Sequence, residues 1–390
     1  MRRLQSTARR GGSCLFLGLL LLAAGTGPTV AEGPRPRARD LGVVIGQLPT
    51  GRLNAITDVP GVRVGHVTLI RGSGRLRVGE GPVRTGVTAI LPHADDIYQN
   101  QVYGAFESLN GNGVVTGGDW LNERGLLEVP ILLTNTLSVG TVYDGVVAHM
   151  LRQDPSRGPL PVVGECWDGQ LNDIAGRHVK ERHVLDAIGA ARGGPVTEGS
   201  VGAGTGMRAY QFKAGIGTAS RVLDDSSGTY TVGVLVNANC GRRSELVVAG
   251  IPVGSMLPVH ADPPSRDGSI IVVVATDAPL LPSQIRRLCK RTALGIGRTG
   301  TVSRHHSGDF AIAFSTAQRI PRDAAPIDTV RTLRDNRLTP FFQAVVEATE
   351  EALLNAMFVA DRMVGRDDAV LPGLPVNRVL QILKEHRRLQ

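Results

Sequence analysis

The chain has 390 residues, 42% hydrophobic and 20% charged with 49 glycines, the composition of a turn-rich globular protein and not of a disordered one. Its formal net charge of +8 includes Arg2, Arg3, Arg9 and Arg10, and loss of those four arginines with an N-terminal signal would leave +4. So mild a charge, with aromatics at 4% and not interleaved with basic residues, gives no footing for nucleic-acid binding.

The four arginines precede an apolar run at 14–24 and a small-residue site at Thr29-Val30-Ala31. This reads as a secretory signal, residues 1–31, cleaved after Ala31; the run is short for a membrane span, and a retained anchor is the alternative. A secreted or periplasmic protein with no stable membrane association is expected. Residues 32–52, Pro-rich and carrying Arg35, Arg37 and Arg39, read as a mobile leader. Segments 62–67 and 88–91 alternate as strands, and 98–109 is amphipathic before the turn Asn110-Gly111-Asn112-Gly113. A buried strand is predicted at 129–133, a helix at 141–151, a strand at 161–164 and a second helix between 179 and 191. Residues 193–206 are glycine-rich enough to be a loop or a place of close backbone approach. A strand follows at 230–236, then a Pro-rich connector with Pro258, Pro263 and Pro264. Beyond it come a buried strand at 270–275, a helix at 282–294 opened by proline, a strand at 309–315, a long helix at 341–360 and a last helix around Leu380 and Leu383. Strands and helices lie on both sides of the connector, which favours one layered α/β core over two domains.

The connector ends in Gly268-Ser269, directly ahead of the apolar strand. Cleavage of that bond would give Ser269 a nucleophilic hydroxyl and a free α-amine able to act as its base. Read locally, Gly-Ser before a strand is also ordinary turn chemistry. Ser307 and Asp309, two residues apart at the mouth of a strand, could relay a proton or simply cap a turn. Asn239 ends a strand beside glycine, as an oxyanion donor or a turn residue, and Tyr143 is either a core aromatic or a phenol donor. The nine histidines are scattered, no metal-ligand spacing stands out, and no Walker A, HExxH or Gly-x-Ser-x-Gly motif occurs, so neither metal nor cofactor is expected. Outside the signal there are three cysteines, Cys166, Cys240 and Cys289, which read as buried small apolar residues.

Several stretches together resemble the DmpA-type aminopeptidases, the P1 or S58 group, which includes L-aminopeptidase/D-esterases and β-peptidyl aminopeptidases. They are Ile56-Thr57-Asp58-Val59-Pro60-Gly61-Val62-Arg63-Val64-Gly65-His66, Asn110 to Gly113, Thr134-Asn135-Thr136 with Ser138-Val139-Gly140, Asp168-Gly169 with Leu171-Asn172-Asp173, Gly202-Ala203-Gly204-Thr205-Gly206-Met207, and Gly268-Ser269 through Asp277-Ala278-Pro279-Leu280. The resemblance implies an αββα sandwich of the DmpA and ornithine-acetyltransferase type, akin to N-terminal-nucleophile hydrolases. It also implies self-cleavage between Gly268 and Ser269 into an α fragment, 53–268, and a β fragment, 269–390, of one catalytic domain. By position it makes Ser269 the nucleophile, Ser307 and Asp309 its support, Asn239 the oxyanion donor and Tyr143 the active-site tyrosine. The implied activity is release of N-terminal residues from short peptides, amides or esters through an acyl-enzyme, in a homo-oligomer. Two positions depart: Asp309 stands where members can carry Glu, and Thr141 stands two before Tyr143, where an acidic anchor for the substrate's amine is expected. Same-fold acyltransferases and amide hydrolases, associated with a threonine nucleophile, and a non-catalytic secreted binder are the other readings.

Overall fold

The structure is a computed structural model that describes residues 35–257, 268–323, 326–327 and 329–389. The expected signal, 1–31, and most of the Pro-rich connector lie outside the described residues. In chain order the principal elements are strands β1 (Arg63–Arg71), β2 (Val83–Leu91), β3 (Asn100–Gly111) and β4 (Ile131–Asn135), helix α1 (Val139–Gln153), strand β5 (Val162–Cys166), helix α2 (Glu181–Gly189), strands β6 (Ile216–Asp225), β7 (Gly228–Asn239) and β8 (Ser269–Thr276), helix α3 (Pro282–Arg298), strand β9 (Gly308–Ser315), and helices α4 (Thr339–Phe358) and α5 (Val376–Glu385).

One sheet runs β1-β2-β4-β5 and the other β3-β9-β8-β7-β6, with short strands Ile320–Pro321 and Leu126–Leu127 added on β3. Each has one parallel pair, β4 with β5 and β8 with β9. A parallel pair needs a crossover, and α1 and α3 supply them.

Strand β8 shows why the sheets stack. It is buried along its whole length, and alternate side chains point to opposite faces. Ile270, Val272 and Val274 pack into a core with Leu288 and Cys289 of α3 and Ala352 of α4. Ile271, Val273 and Ala275 pack into a second core with Ile131 and Leu133 of the other sheet, which also takes in Val142 and Val146 of α1 and Val184 of α2. The layers are therefore helix, sheet, sheet, helix, as the αββα expectation requires. On the outer side the backbones approach closely: a Cβ at Gly217 of β6 would fall 2.0 Å from the Ala352 carbonyl of α4.

Predicted elements recur with shifted ends, but β6 has no counterpart in the sequence reading. Its pattern is broken by Arg221, which is fully buried with Nε 3.1 Å from Glu347 and an Nη 2.7 Å from Glu351, both on α4. A charge inside a strand hides the strand when its partners are more than a hundred residues away.

Residues 35–52, read from the sequence as a mobile leader, pack onto this fold: Ala38, Val43 and Ile45 are buried, and Arg35, Arg37 and Arg39 are each anchored. Arg35 donates to the carbonyls of Ala360 (2.6 Å) and Leu374 (2.8 Å), Arg37 pairs with Glu198 at 2.7 Å, and Arg39 binds Glu351 at 2.9 and 2.7 Å. Guanidinium forks suit such carboxylates and carbonyls, but nothing near the leader in sequence announces them.

Candidate active site

Register builds the site. In the antiparallel pair β7–β8, Asn239 stands opposite Ser269, and in the parallel pair β8–β9, Ile270 stands beside Asp309. On the far side of β9, Gly308 faces Gly111 and Asp309 faces Asn110, with a bulge between Asp309 and Phe310. Four strands thus deliver Asn239, Ser269, Ser307, Asp309 and the Asn110–Gly113 turn to one end of one sheet. Bulges at such places re-aim side chains.

Ser269, Ser307, Asp309 and Asn239 are all buried. The Ser269 hydroxyl accepts a hydrogen bond from Gly308 N at 3.3 Å, and Ser307 Oγ donates to Asp309 Oδ1 at 2.6 Å. Burial holds the Asp309 carboxyl above its ordinary range, against the hydrogen bond from Ser307. Asn239 Oδ1 accepts from Arg208 N at 3.1 Å, and its Nδ2 donates to the Trp167 carbonyl at 3.0 Å. The latter bond uses one of two amide hydrogens, so a donor remains.

Gly268 owes its identity to close approach and not to a left-handed backbone. A Cβ there would lie 1.7 Å from the Asn239 carbonyl oxygen and 3.0 Å from Cys240 Cα. Asn110 and Asn112, read from sequence as turn residues, grip the segment that carries Ser307. Asn110 Nδ2 donates to the carbonyls of Ser303 (3.1 Å) and Arg304 (2.7 Å), and Asn112 Nδ2 to that of His306 (2.7 Å).

Tyr143 is not tied to this cluster. It sits in α1, partly buried against the core between the sheets, and its hydroxyl has no hydrogen-bond partner among the described residues. The aromatic residue linked to the site is Trp167, through its carbonyl.

Sequence reasoning also missed Glu165. This β5 carboxylate is 2% exposed, accepts from Val114 N at 3.2 Å and from the Thr136 hydroxyl, and burial raises its pKa against both bonds. A Cβ on Gly113 would come 2.6 Å from Glu165 Oε1, 3.0 Å from Phe310 Cε2 and 3.6 Å from Gly308 Cα, so this carboxylate, the Phe310 ring and the glycine whose N–H holds the Ser269 hydroxyl all border the space beside Gly113. A signal was present: Glu165-Cys166-Trp167 places an acid two residues ahead of an aromatic, the spacing sought at Thr141 and Tyr143. Beside it Asp168 is buried, and desolvation lifts its carboxyl to about 7. Cys166, Cys240 and Cys289 are buried free thiols.

Chemically, the arrangement joins a hydroxyl at a strand start, an amide donor across the strand pair and a serine–carboxylate pair beside it, with a second buried carboxylate, Glu165, at the Gly113 turn. No group of three His, Cys, Asp or Glu among the described residues could hold a metal ion.

Comparison with known proteins agrees with this geometry. The family model described as peptidase family S58 matches residues 54–371. The chain is 46% identical over 392 residues to the β-peptidyl aminopeptidase BapA of Sphingosinicella microcystinivorans, covering 96% of this chain and 97% of that one. Among solved structures, a Burkholderia β-aminopeptidase is 45% identical with a TM-score of 0.83, covering 90% of this chain and 99% of that one. The L-aminopeptidase D-Ala-esterase/amidase of Ochrobactrum anthropi, described as a prototype serine aminopeptidase and a variant of the Ntn hydrolase fold, is 41% identical with a TM-score of 0.85, covering 91% and 100%. The sheet order, the Ser269 site and these matches lead to one conclusion: the chain belongs to peptidase family S58 and is an aminopeptidase with the N-terminal-nucleophile-type αββα fold.

Proposed function

We propose that the protein cuts its own Gly268–Ser269 bond and then uses Ser269 to release N-terminal residues, β-amino residues among them, from short peptides, amides or esters. The observation that carries this reading is the convergence of Ser269, Asn239 and the Ser307–Asp309 pair at one sheet end. The names of the 46%-identical and 45%-identical relatives support the β-amino preference.

In self-cleavage Ser269 Oγ adds to the Gly268 carbonyl carbon and its proton passes to the leaving nitrogen; the C–N bond breaks as the ester forms, which frees the Ser269 α-amine, and water then hydrolyses the ester to release the Gly268 carboxylate and the Ser269 hydroxyl. In turnover that amine, close to neutral in its unperturbed pKa, takes the Ser269 hydroxyl proton. Ser307 already donates to Asp309, so its lone pairs are left to accept from the amine and keep the amine's own lone pair on Oγ. The oxyanion accepts from Asn239 Nδ2, and loss of such a donor typically costs about 10²- to 10³-fold in rate. The proton passes to the leaving amine, and water then hydrolyses the acyl-enzyme. Glu165 binds the substrate's ammonium, which restricts cleavage to free N-termini. A secreted or periplasmic homo-oligomer remains part of the proposal, the location resting on the signal-like residues 1–31 and the assembly on the family resemblance.

A denaturing gel with N-terminal sequencing tests the reading. Two chains are expected, the smaller beginning at Ser269, whereas Ser269→Ala should give one chain without activity. A single uncleaved chain that still hydrolyses aminoacyl amides would overturn it.

A further inference from the structure

Lys213 is fully buried, and among the described residues it makes no ion pair. Instead its Nζ donates to three backbone carbonyls, those of Met207 at 3.0 Å, Gly204 at 3.3 Å and Ala214. An ammonium without a counter-charge is unfavourable in a protein interior, and burial draws this one down to about 7. Something about the place has to require it.

The Met207–Arg208 peptide supplies the reason. Its carbonyl accepts from Lys213 Nζ, and its N–H donates to Asn239 Oδ1 at 3.1 Å. A peptide unit is planar and rigid, so aiming one of these groups aims the other. The two ends of an Asn amide have nearly the same shape, and only their hydrogen-bond partners decide which end points where. Because Arg208 N–H demands an acceptor, Oδ1 is held on that side and Nδ2 is turned toward the Trp167 carbonyl and the Ser269 end of the strand pair. The turn before it, Gly202 to Met207, is one of the family-like stretches.

We infer that Lys213 is a positioning residue for the hydrolysis, holding the oxyanion donor Asn239 in its productive orientation through the Met207–Arg208 peptide. This rests on the proposed role of Asn239, and a double-mutant cycle separates the two claims. Asn239→Ala should lower kcat about 10²- to 10³-fold. Lys213→Met should lower kcat by tenfold or more with KM little changed, and should have no further effect in the Asn239→Ala background. An unchanged kcat in Asn239→Ala would overturn the oxyanion reading, and the inference with it. Equal losses from Lys213→Met in both backgrounds, or no loss in either, would overturn the inference alone.

Should Lys213→Met fail to fold, the unmodified enzyme provides the test. The chain has four lysines, and Lys180, Lys290 and Lys384 are exposed, so ¹⁵N-lysine labelling leaves Lys213 as the one slowly exchanging Nζ signal. An aminoalkyl boronic acid, which forms a tetrahedral adduct on Ser269, should shift that signal, whereas a free β-amino acid product should not. No shift on adduct formation, or the same shift with the product, would refute the coupling.

Discussion

Replacing Glu165 by Gln keeps the side chain's size and its hydrogen-bonding partners, Val114 N and the Thr136 hydroxyl, but removes the charge proposed to bind the substrate's ammonium. For unit charges about 4 Å apart, an effective dielectric of about 20 gives roughly 4 kcal/mol, close to a thousandfold in kcat/KM. The amide oxygen of Gln returns part of this by hydrogen bonding, so a loss of about 10²-fold is the expected minimum. The assay compares a β-aminoacyl anilide with its des-amino analogue. In the parent enzyme the amine should be favoured by about 10²- to 10³-fold, and in Glu165→Gln by tenfold or less, with the des-amino substrate turned over equally by both. The pH dependence carries a sign. Burial raises the Glu165 pKa, so the carboxylate that attracts the ammonium is lost as pH falls through a value above the ordinary carboxylate range. The amine-to-des-amino ratio should fall there, and the variant should show no such fall. Taking a ratio cancels the titration of Asp309, which affects both substrates alike. A variant that keeps the full preference for the free amine would refute the assignment.

Two further perturbations follow from close packing and buried charge. Gly268→Ala would place a Cβ 1.7 Å from the Asn239 carbonyl, so the backbone on both sides of the scissile bond must shift; uncleaved chain should accumulate, and processing at the parent rate in a gel time course would contradict the close-approach account. Arg221→Met leaves Glu347 and Glu351 buried beneath β6 without their shared cation, and breaking such an arrangement typically costs about 3–5 kcal/mol. Denaturant titration should show that loss, and a change below about 1 kcal/mol would show that Arg39 alone neutralises the pair.

The sequence by itself determined what depends on local pattern. The apolar run of β8, the proline-opened α3 and the long α4 are legible because burial imposes a period on neighbouring residues. Ser269 stands out in the sequence because a polar, Pro-rich connector turns into an apolar run at that residue. The tertiary structure alone decided what depends on partners far along the chain. Arg39 meets Glu351 across 312 positions, which converts an expected mobile leader into a clamp. Arg221 conceals β6 until its acids on α4 are seen. Asn110 and Asn112 have the composition of a turn, yet strand register sets them on the segment bearing Ser307. Glu165 is set beside the Gly113–Val114 turn by β5, while Tyr143, the position the resemblance favoured, stays on α1 outside the hydrogen-bonded cluster. Hydrophobic periodicity is written into adjacent residues, but strand register and the pairing of buried charges exist only once segments hundreds of residues apart have packed together.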